Sequence, residues 1–126
     1  MKIVLVDDSA VVRARMKIML AELPGIEITG EAADVAEAVE VIQEQEPDVV
    51  ILDLQLPSGS GIDVLRKIKR TRPEIVVIML TNYATPQYRH AYLSAGADYF
   101  LDKFAEHNQL MTVLEELAQR FSEGTA

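Results

Sequence analysis

Five short apolar segments alternate along the chain with segments of helical spacing, and this alternation restricts the fold more than any other feature. The apolar segments are Ile3 to Val6, Ile26 to Gly30, Val49 to Leu52, Ile75 to Leu80 and Tyr99 to Leu101. Three of them are almost continuous runs of valine, isoleucine and leucine, which is typical of strands covered on both faces. The segment Ile26 to Gly30 alternates apolar and polar residues and is expected at an edge of the sheet.

A helix is predicted after each strand. Asp34 and Thr85 are residue types that cap helix starts, and Pro86 fits a first helical turn. Regular alternation of strand and helix predicts right-handed crossovers, and therefore a doubly wound α/β domain with a five-stranded parallel sheet and five helices. We expect one domain over residues 1–122, followed by a frayed tail over residues 123–126.

Composition excludes several classes of protein. The 126 residues include no cysteine, which excludes disulfide scaffolds and thiolate metal sites. Twelve Lys and Arg against twenty Asp and Glu give a net charge of −8, which argues against direct binding to nucleic acid or to anionic membranes. The longest apolar run, Ile75 to Leu80, is far shorter than the ~20 residues of a membrane span. The N-terminal residues do not form a secretory signal, so we expect a cytoplasmic protein.

Chemically active residues directly follow the ends of the predicted strands. Asp7 and Asp8 follow the first strand, Asp53 the third, Thr81 the fourth and Lys103 the fifth. In open α/β sheets, ligands bind outside the carboxyl ends of the strands. We therefore expect three carboxylates, a hydroxyl and an ammonium group to share one edge of the sheet.

Three carboxylates in one place require positive charge, because like charges a few ångströms apart disfavour one another's ionisation. Lys103 alone does not balance three acids, and a small site with oxygen ligands favours Mg²⁺ over Ca²⁺. His90 and His107 do not follow strand ends, so a zinc or copper site is not expected. Each acid taken singly also fits a helix cap, as Asp8 before Ser9 does, and only their conjunction indicates a site.

These motifs resemble the receiver domain of bacterial two-component response regulators. The resemblance depends on Asp7-Asp8, on Asp53 to Pro57 with Gly61 beyond, and on Thr81, Gly96 to Asp98, and Lys103. It extends from about Lys2 to Phe121, and its motifs are specific only in combination. It implies a flavodoxin-like fold with strand order 2-1-3-4-5, as in the chemotaxis member of that family.

The resemblance also implies roles for the acids. Asp53 would be the phosphoacceptor, and Asp7 and Asp8 would bind Mg²⁺ together with Asp53 and the main-chain carbonyl of Gln55. The chemistry is consistent with this assignment, since a carboxylate can attack a phosphoryl group when positive charge offsets that of the transferring oxygens.

Three further residues would complete the switch that the resemblance implies. Thr81 would bind a phosphoryl oxygen, Lys103 would pair with the phosphate, and Phe100 would change rotamer on activation. Movement of the Thr81 loop toward the phosphate would vacate space for the Phe100 ring, which is a two-state switch biased by one covalent event.

The chain departs from the family pattern beside the lysine, where most relatives have proline and this sequence has Phe104. A non-proline cis bond costs ~2.5–4 kcal/mol, so a trans bond is expected after Lys103. Gln55 and Tyr83 occupy the two positions that tune dephosphorylation in the family. Because Tyr83 is bulky, we expect it to screen the acyl phosphate and slow its hydrolysis.

The expected function is a stand-alone phosphorelay receiver that is a signalling phosphoacceptor and not an enzyme. Its phosphodonor would be a sensor histidine kinase or a histidine phosphotransfer protein. Its output would be binding of a downstream protein or onward transfer of the phosphoryl group, and the family makes a phosphorylation-linked dimer plausible. Nucleotide binding is not expected, because no glycine-rich phosphate loop follows the first strand.

Two other classes compete with this interpretation. A phosphatase of the haloacid-dehalogenase type expects an aspartate two residues after the nucleophile, where this chain has Gln55. A receiver-like interaction module that works without phosphorylation is the main alternative, and the Lys103-Phe104 departure is its best support.

Two surface features remain open to two interpretations each. Between Lys17 and Arg66 there is no Lys or Arg, whereas five cations occupy residues 66–72. They form either a solvated face that pairs with the acidic second helix or a docking surface for a partner. Tyr88, Tyr92 and Tyr99 likewise fit either a partner surface or simple packing.

Overall fold

The main sheet has five parallel strands in the order β2-β1-β3-β4-β5. In this computed structural model, which describes residues 1–57, 59–82, 84–103 and 107–124, the strands are β1 (Lys2–Val6), β2 (Glu27–Ala32), β3 (Val49–Leu52), β4 (Val76–Thr81) and β5 (Tyr99–Asp102). The helices are α1 (Ala10–Leu20), α2 (Val35–Gln45), α3 (Gly61–Thr71), α4 (Pro86–Ser94) and α5 (His107–Gly124). The doubly wound, flavodoxin-like fold predicted from the sequence is confirmed.

Alternate residues of the inner strands supply two separate cores. In β1, Val4 and Val6 belong to the cluster beneath α2, α3 and α4, whereas Ile3 and Leu5 belong to the cluster beneath α1 and α5. All four side chains are at most 1% exposed. Because each such side chain contributes roughly 1.5–3 kcal/mol on burial, neither face of these strands can be left open to water.

β2 lies at the edge of the sheet, as its alternating pattern predicts, but its bounds fall later along the chain than the predicted Ile26 to Gly30. The strand continues through Ala32 because its backbone stays paired with Leu5 and Val6 of β1. The Glu31 side chain also contacts α1, with Arg13 Nε at 3.0 Å and Lys17 Nζ at 2.8 Å from its carboxylate. The pairing with β1 shifts register between Ile3 and Val4, which gives β2 one extra residue.

Side-chain caps fix where three helices begin. The Ser9 hydroxyl accepts from the amide of Val12, Asp34 accepts from Glu37, and Thr85 accepts from Tyr88. Asp34 and Thr85 are the caps predicted from sequence. α5 continues to Gly124, two residues beyond the predicted domain boundary at residue 122.

A two-stranded antiparallel ribbon connects β3 to α3. Gln55–Leu56 pairs with Gly59–Ser60, and the amide of Gly61 donates to the carbonyl of Leu54 at 2.8 Å. The sequence did not predict this ribbon, because two residues per strand are too few for an apolar periodicity. Across the described residues, no helix is both long enough and apolar enough to cross a membrane.

Candidate functional site

Backbone hydrogen bonds between strand ends bring the predicted site residues to one edge of the sheet. The amide of Asp53 donates to the carbonyl of Val6 at 2.9 Å, which places Asp53 beside the end of β1. The amide of Lys103 donates to the carbonyl of Thr81 at 2.7 Å, which joins the ends of β4 and β5 in the same way. The register of the parallel sheet therefore gathers residues from four separate strand ends.

The three acids form one cluster. Asp7, Asp8 and Asp53 each offer a carboxylate oxygen, and these oxygens all lie within 4.8 Å of one another. Asp7 is buried, Asp53 is half-buried and Asp8 is exposed, so the cluster opens to solvent on the side of Asp8. Hard oxygen donors at this spacing suit a small divalent cation, and Mg²⁺ prefers a few carboxylates together with retained waters.

Lys103 supplies positive charge to the cluster. Its Nζ lies 2.6 Å from Oδ2 of Asp7 and 3.4 Å from Oδ2 of Asp53. All three side chains are at most 12% exposed. One ammonium group therefore faces two shielded carboxylates, and negative charge remains for a cation to offset.

The surroundings change the ionisation of both Asp53 and Lys103. Burial raises the pKa of Asp53, the Lys103 charge opposes that rise, and the Asp7 charge adds to it, so the pKa lies above its usual value. Burial acts to lower the pKa of Lys103, but its hydrogen bond to Asp7 and the charges of Asp53 and Asp7 outweigh burial and raise the pKa overall. Lys103 consequently stays charged at neutral pH.

Neighbouring groups hold Asp7 and Asp53 in place. Oδ1 of Asp7 accepts from the amide of Ser9 at 2.9 Å, and the main-chain carbonyl of Asp7 accepts from Nη1 of Arg13. A Cβ atom on Gly61 would come within 2.3 Å of the main-chain oxygen of Asp53. Since real Cβ atoms do not approach backbone oxygen so closely, only glycine allows α3 to begin this near the aspartate.

Thr81 and Phe100 lie in the interior next to the site. Thr81 is fully buried at the end of β4, and Phe100 is 1% exposed on β5. The Phe100 ring packs against Tyr92 with centroids 5.9 Å apart, and the guanidinium carbon of Arg89 lies 5.7 Å from the centroid of the same ring. The predicted switch aromatic is therefore held inward between two side chains of α4.

Two other residues considered in the sequence lie on the surface. Gln55 is exposed in the ribbon after β3, and His90 is exposed on α4. Tyr83 and Phe104 lie outside the described residues, so their predicted effects stay predictions.

Sequence reasoning missed two contributors near the site. Tyr92 is 4% exposed, and its hydroxyl lies 3.4 Å from the carbonyl of Leu54, directly after Asp53. Of the two interpretations offered for this tyrosine, packing is the one that the structure shows. Arg13 joins the Asp7 carbonyl to Glu31 of β2. Its only sequence signal is a cation one helical turn past the cap Ser9, which many surface helices share.

A parallel sheet of order 2-1-3-4-5 with an acidic cluster and a lysine at its carboxyl edge defines the class of phosphoacceptor domains that the sequence resembled. The chain belongs to the response regulator receiver domain family, and the sequence model of that family matches residues 3–115. The resemblance stated from the sequence is thereby confirmed.

Individual relatives agree with that assignment. The chain is 38% identical over 111 residues to an uncharacterized transcriptional regulatory protein, YhcZ, of Bacillus subtilis, a match that covers 88% of this chain and 52% of the relative. It therefore spans about half the length of that relative.

Solved structures of the family superpose closely. A LuxR-family response regulator from Aurantimonas gives a TM-score of 0.87 at 29% identity, covering 94% of this chain and 84% of the other. The response regulator domain of Thermotoga maritima CheB gives 0.82 at 29% identity, covering 95% and 94%.

Proposed function

We propose that this receiver domain accepts a phosphoryl group on Asp53 from a phosphohistidine of a sensor kinase or phosphotransfer protein. The observation that carries the proposal is the convergence of Asp7, Asp8, Asp53 and Lys103, which come from three separate strand ends. In the reaction, an Asp53 carboxylate oxygen forms a bond to phosphorus while the phosphorus–nitrogen bond to histidine breaks. The products are an acyl phosphate on Asp53 and a free imidazole on the donor.

The carboxylates of Asp7, Asp8 and Asp53 would hold Mg²⁺, with the main-chain carbonyl of Gln55 as a further ligand. The cluster fits the ion because its oxygens lie within 4.8 Å of one another and are hard donors. Bound there, Mg²⁺ would offset the negative charge of the transferring phosphoryl oxygens. The remaining positive charge comes from Lys103, whose ammonium group already lies between Asp7 and Asp53.

The same residues give the domain a switch. A phosphoryl group brings more negative charge and more acceptor oxygens than the carboxylate had, so nearby donors are drawn toward it. Thr81 carries a hydroxyl at the end of the strand next to β3 and would donate to the phosphoryl group. Phe100, packed inward against Tyr92, would then respond by changing rotamer.

We propose that the phosphorylated domain acts by binding a separate protein or by passing the phosphoryl group onward, and that its own chemistry is limited to self-phosphorylation and self-dephosphorylation. Loss of label to a histidine phosphotransfer domain, without stable binding, would favour onward transfer. Stable binding of a target without loss of label would favour the first mode.

The test of the proposed function is incubation of the protein with Mg²⁺ and acetyl phosphate, followed by intact mass spectrometry. We expect a gain of one phosphoryl group that is abolished by Asp53→Asn and by excess EDTA. Glu116→Gln changes an exposed acid on α5 that is not part of the cluster; it is the matched control and should be labelled like the wild type. An unchanged mass of the wild-type protein would contradict the proposal and favour a module that works without phosphorylation.

A further inference from the structure

The five cations of residues 66–72, at the end of α3, form a basic cluster. Acidic side chains of the same chain neutralise only part of its charge. Lys69 Nζ binds Asp98 at 2.8 Å and donates to the carbonyl of Ile75, and Arg72 forms an ion pair with Glu46 at the end of α2. The pairing with the acidic second helix that the sequence suggested therefore involves one acid, Glu46.

Three cations remain without an acidic partner among the residues that the structure describes. Arg66, Lys67 and Arg70 are exposed, and no carboxylate of that part of the chain lies within ion-pair distance of them. Arg66 and Arg70 are four residues apart on one helix, and like charges at this spacing are mildly destabilising. The helix dipole favours cations in the last turn, which accounts for Arg70 but not for Arg66 or Lys67 earlier in α3.

Two of these cations, Lys67 and Arg70, border a groove between α2 and α3. The groove has a volume of about 430 Å³, and Lys67, Arg70 and Arg72 lie on its α3 side. Its apolar lining is Val39, Ile42 and Ile68. A cationic rim beside an apolar lining complements a ligand that carries both carboxylates and an aliphatic side chain.

The position of the groove separates it from the phosphorylation site. It is formed by the last turns of α2 and α3, which precede the starts of β3 and β4. Asp53 instead follows the end of β3, so the two sites lie at opposite edges of the sheet. A ligand in the groove can therefore bind whether or not Asp53 is phosphorylated.

We propose that this groove is a docking site for an acidic peptide segment of a partner protein, with an aliphatic side chain of that segment inserted between α2 and α3. Charge complementarity favours an acidic occupant, because Lys67, Arg70 and Arg72 concentrate positive charge at the groove, whereas the chain as a whole carries a net charge of −8. A short peptide fits better than a nucleic acid, since the exposed acids Glu40 and Glu44 of α2 would repel a long polyanion and the apolar lining would stay unfilled.

The test is an NMR titration of uniformly ¹⁵N-labelled protein with the capped hexapeptide EELLEE. We expect amide shifts concentrated in residues 39–43 and 67–72. The double variant Lys67→Glu, Arg70→Glu should weaken binding by about tenfold or more, because two exposed attractions become repulsions. Arg120→Glu, an exposed cation on α5, should change the affinity by less than about twofold.

Several outcomes would overturn the proposal. These are equal binding of the lysine peptide KKLLKK, equal loss of affinity in Arg120→Glu, or shifts spread over the surface without a focus at the groove. If an all-glutamate hexapeptide bound equally well, the inserted aliphatic side chain would be ruled out. If a short single-stranded oligothymidylate bound equally well, the ligand would be a nucleic acid and not a peptide. Since the readout needs no phosphorylation, failure here is distinguishable from failure of the proposed phosphoacceptor function.

Discussion

Asp8→Asn should stabilise the metal-free protein and lose most or all of that advantage when Mg²⁺ is present. The three carboxylates of the cluster offer oxygens within 4.8 Å of one another. At that separation two unit charges repel by about 0.9 kcal/mol in water and about 3.5 kcal/mol at an effective dielectric constant of 20. Asp8 is exposed, so the lower figure applies to each of its repulsions, and the attraction to Lys103 offsets part of them.

Neutralising Asp8 should therefore stabilise the metal-free protein by roughly 1 kcal/mol, or roughly 3–5 °C in Tm for a chain of this length. The substitution removes no hydrogen bond that the structure shows for the Asp8 side chain. With Mg²⁺ at ten times its Kd the wild type should gain roughly 1.4 kcal/mol, whereas the variant, which lacks one ligand, should gain only a fraction of that.

The assay is thermal unfolding by circular dichroism in EDTA and again in excess MgCl₂. Glu116→Gln serves as the control, because it removes an exposed acid that is not part of the cluster and should leave the Mg²⁺ response unchanged. If Asp8→Asn is no more stable than the wild type in EDTA, the repulsion argument is wrong. If the variant keeps the full Mg²⁺ response, Asp8 is not a ligand.

Four further predictions concern groups around the site and elsewhere in the chain. Gly61→Ala would place Cβ within 2.3 Å of the Asp53 carbonyl oxygen, so α3 or Asp53 must move; we expect a loss of about 1–3 kcal/mol in urea unfolding together with slower labelling by acetyl phosphate. Gly25→Ala, where a Cβ meets nothing within 4 Å but φ is +78°, should lower stability without changing the labelling rate. The hydrogen bond from Lys17 lowers the pKa of Glu31, burial opposes this, and Arg13 adds to it. Because the folded pKa lies below the unfolded one, the stabilisation is present above about pH 4.5 and is lost as the pH falls through the folded pKa. Glu31→Gln should therefore cost under about 1 kcal/mol at pH 7, and a difference that does not shrink in acid would contradict this reasoning. Tyr83→Ala should shorten the lifetime of the acyl phosphate, measured by loss of label after donor removal, and an unchanged lifetime would show that Tyr83 does not screen it.

The order and type of the main elements could be predicted because buried strands have a distinct pattern of apolar residues. Val49 to Leu52 is apolar at every position and is buried on both faces, so its sequence permits little else. The strand ends carry the site, and parallel strands bring their ends to one edge. Asp7, Asp53, Thr81 and Lys103 could therefore be placed together without coordinates.

What could not be predicted depends on contacts between residues distant in sequence. β2 extends to Ala32 because it pairs with Leu5 and Val6 of β1, more than twenty residues earlier in the chain. The partners of Glu31, Arg13 and Lys17, likewise belong to a different element. Tyr92 has no sequence signal that separates an exposed helical tyrosine from one packed on Phe100, because α4 has no clear apolar face of its own. The partial neutralisation of the basic cluster likewise depends on Asp98, 29 residues beyond Lys69.

Whether Asp53 is the phosphoacceptor can be tested by locating the phosphoryl group chemically. Protein treated with acetyl phosphate and Mg²⁺ is reduced with borohydride, which converts an aspartyl phosphate to homoserine, and its peptides are then sequenced by tandem mass spectrometry. We expect homoserine at position 53 alone. Homoserine at position 7 or 8, or its absence from a protein that has gained a phosphoryl group, would contradict it.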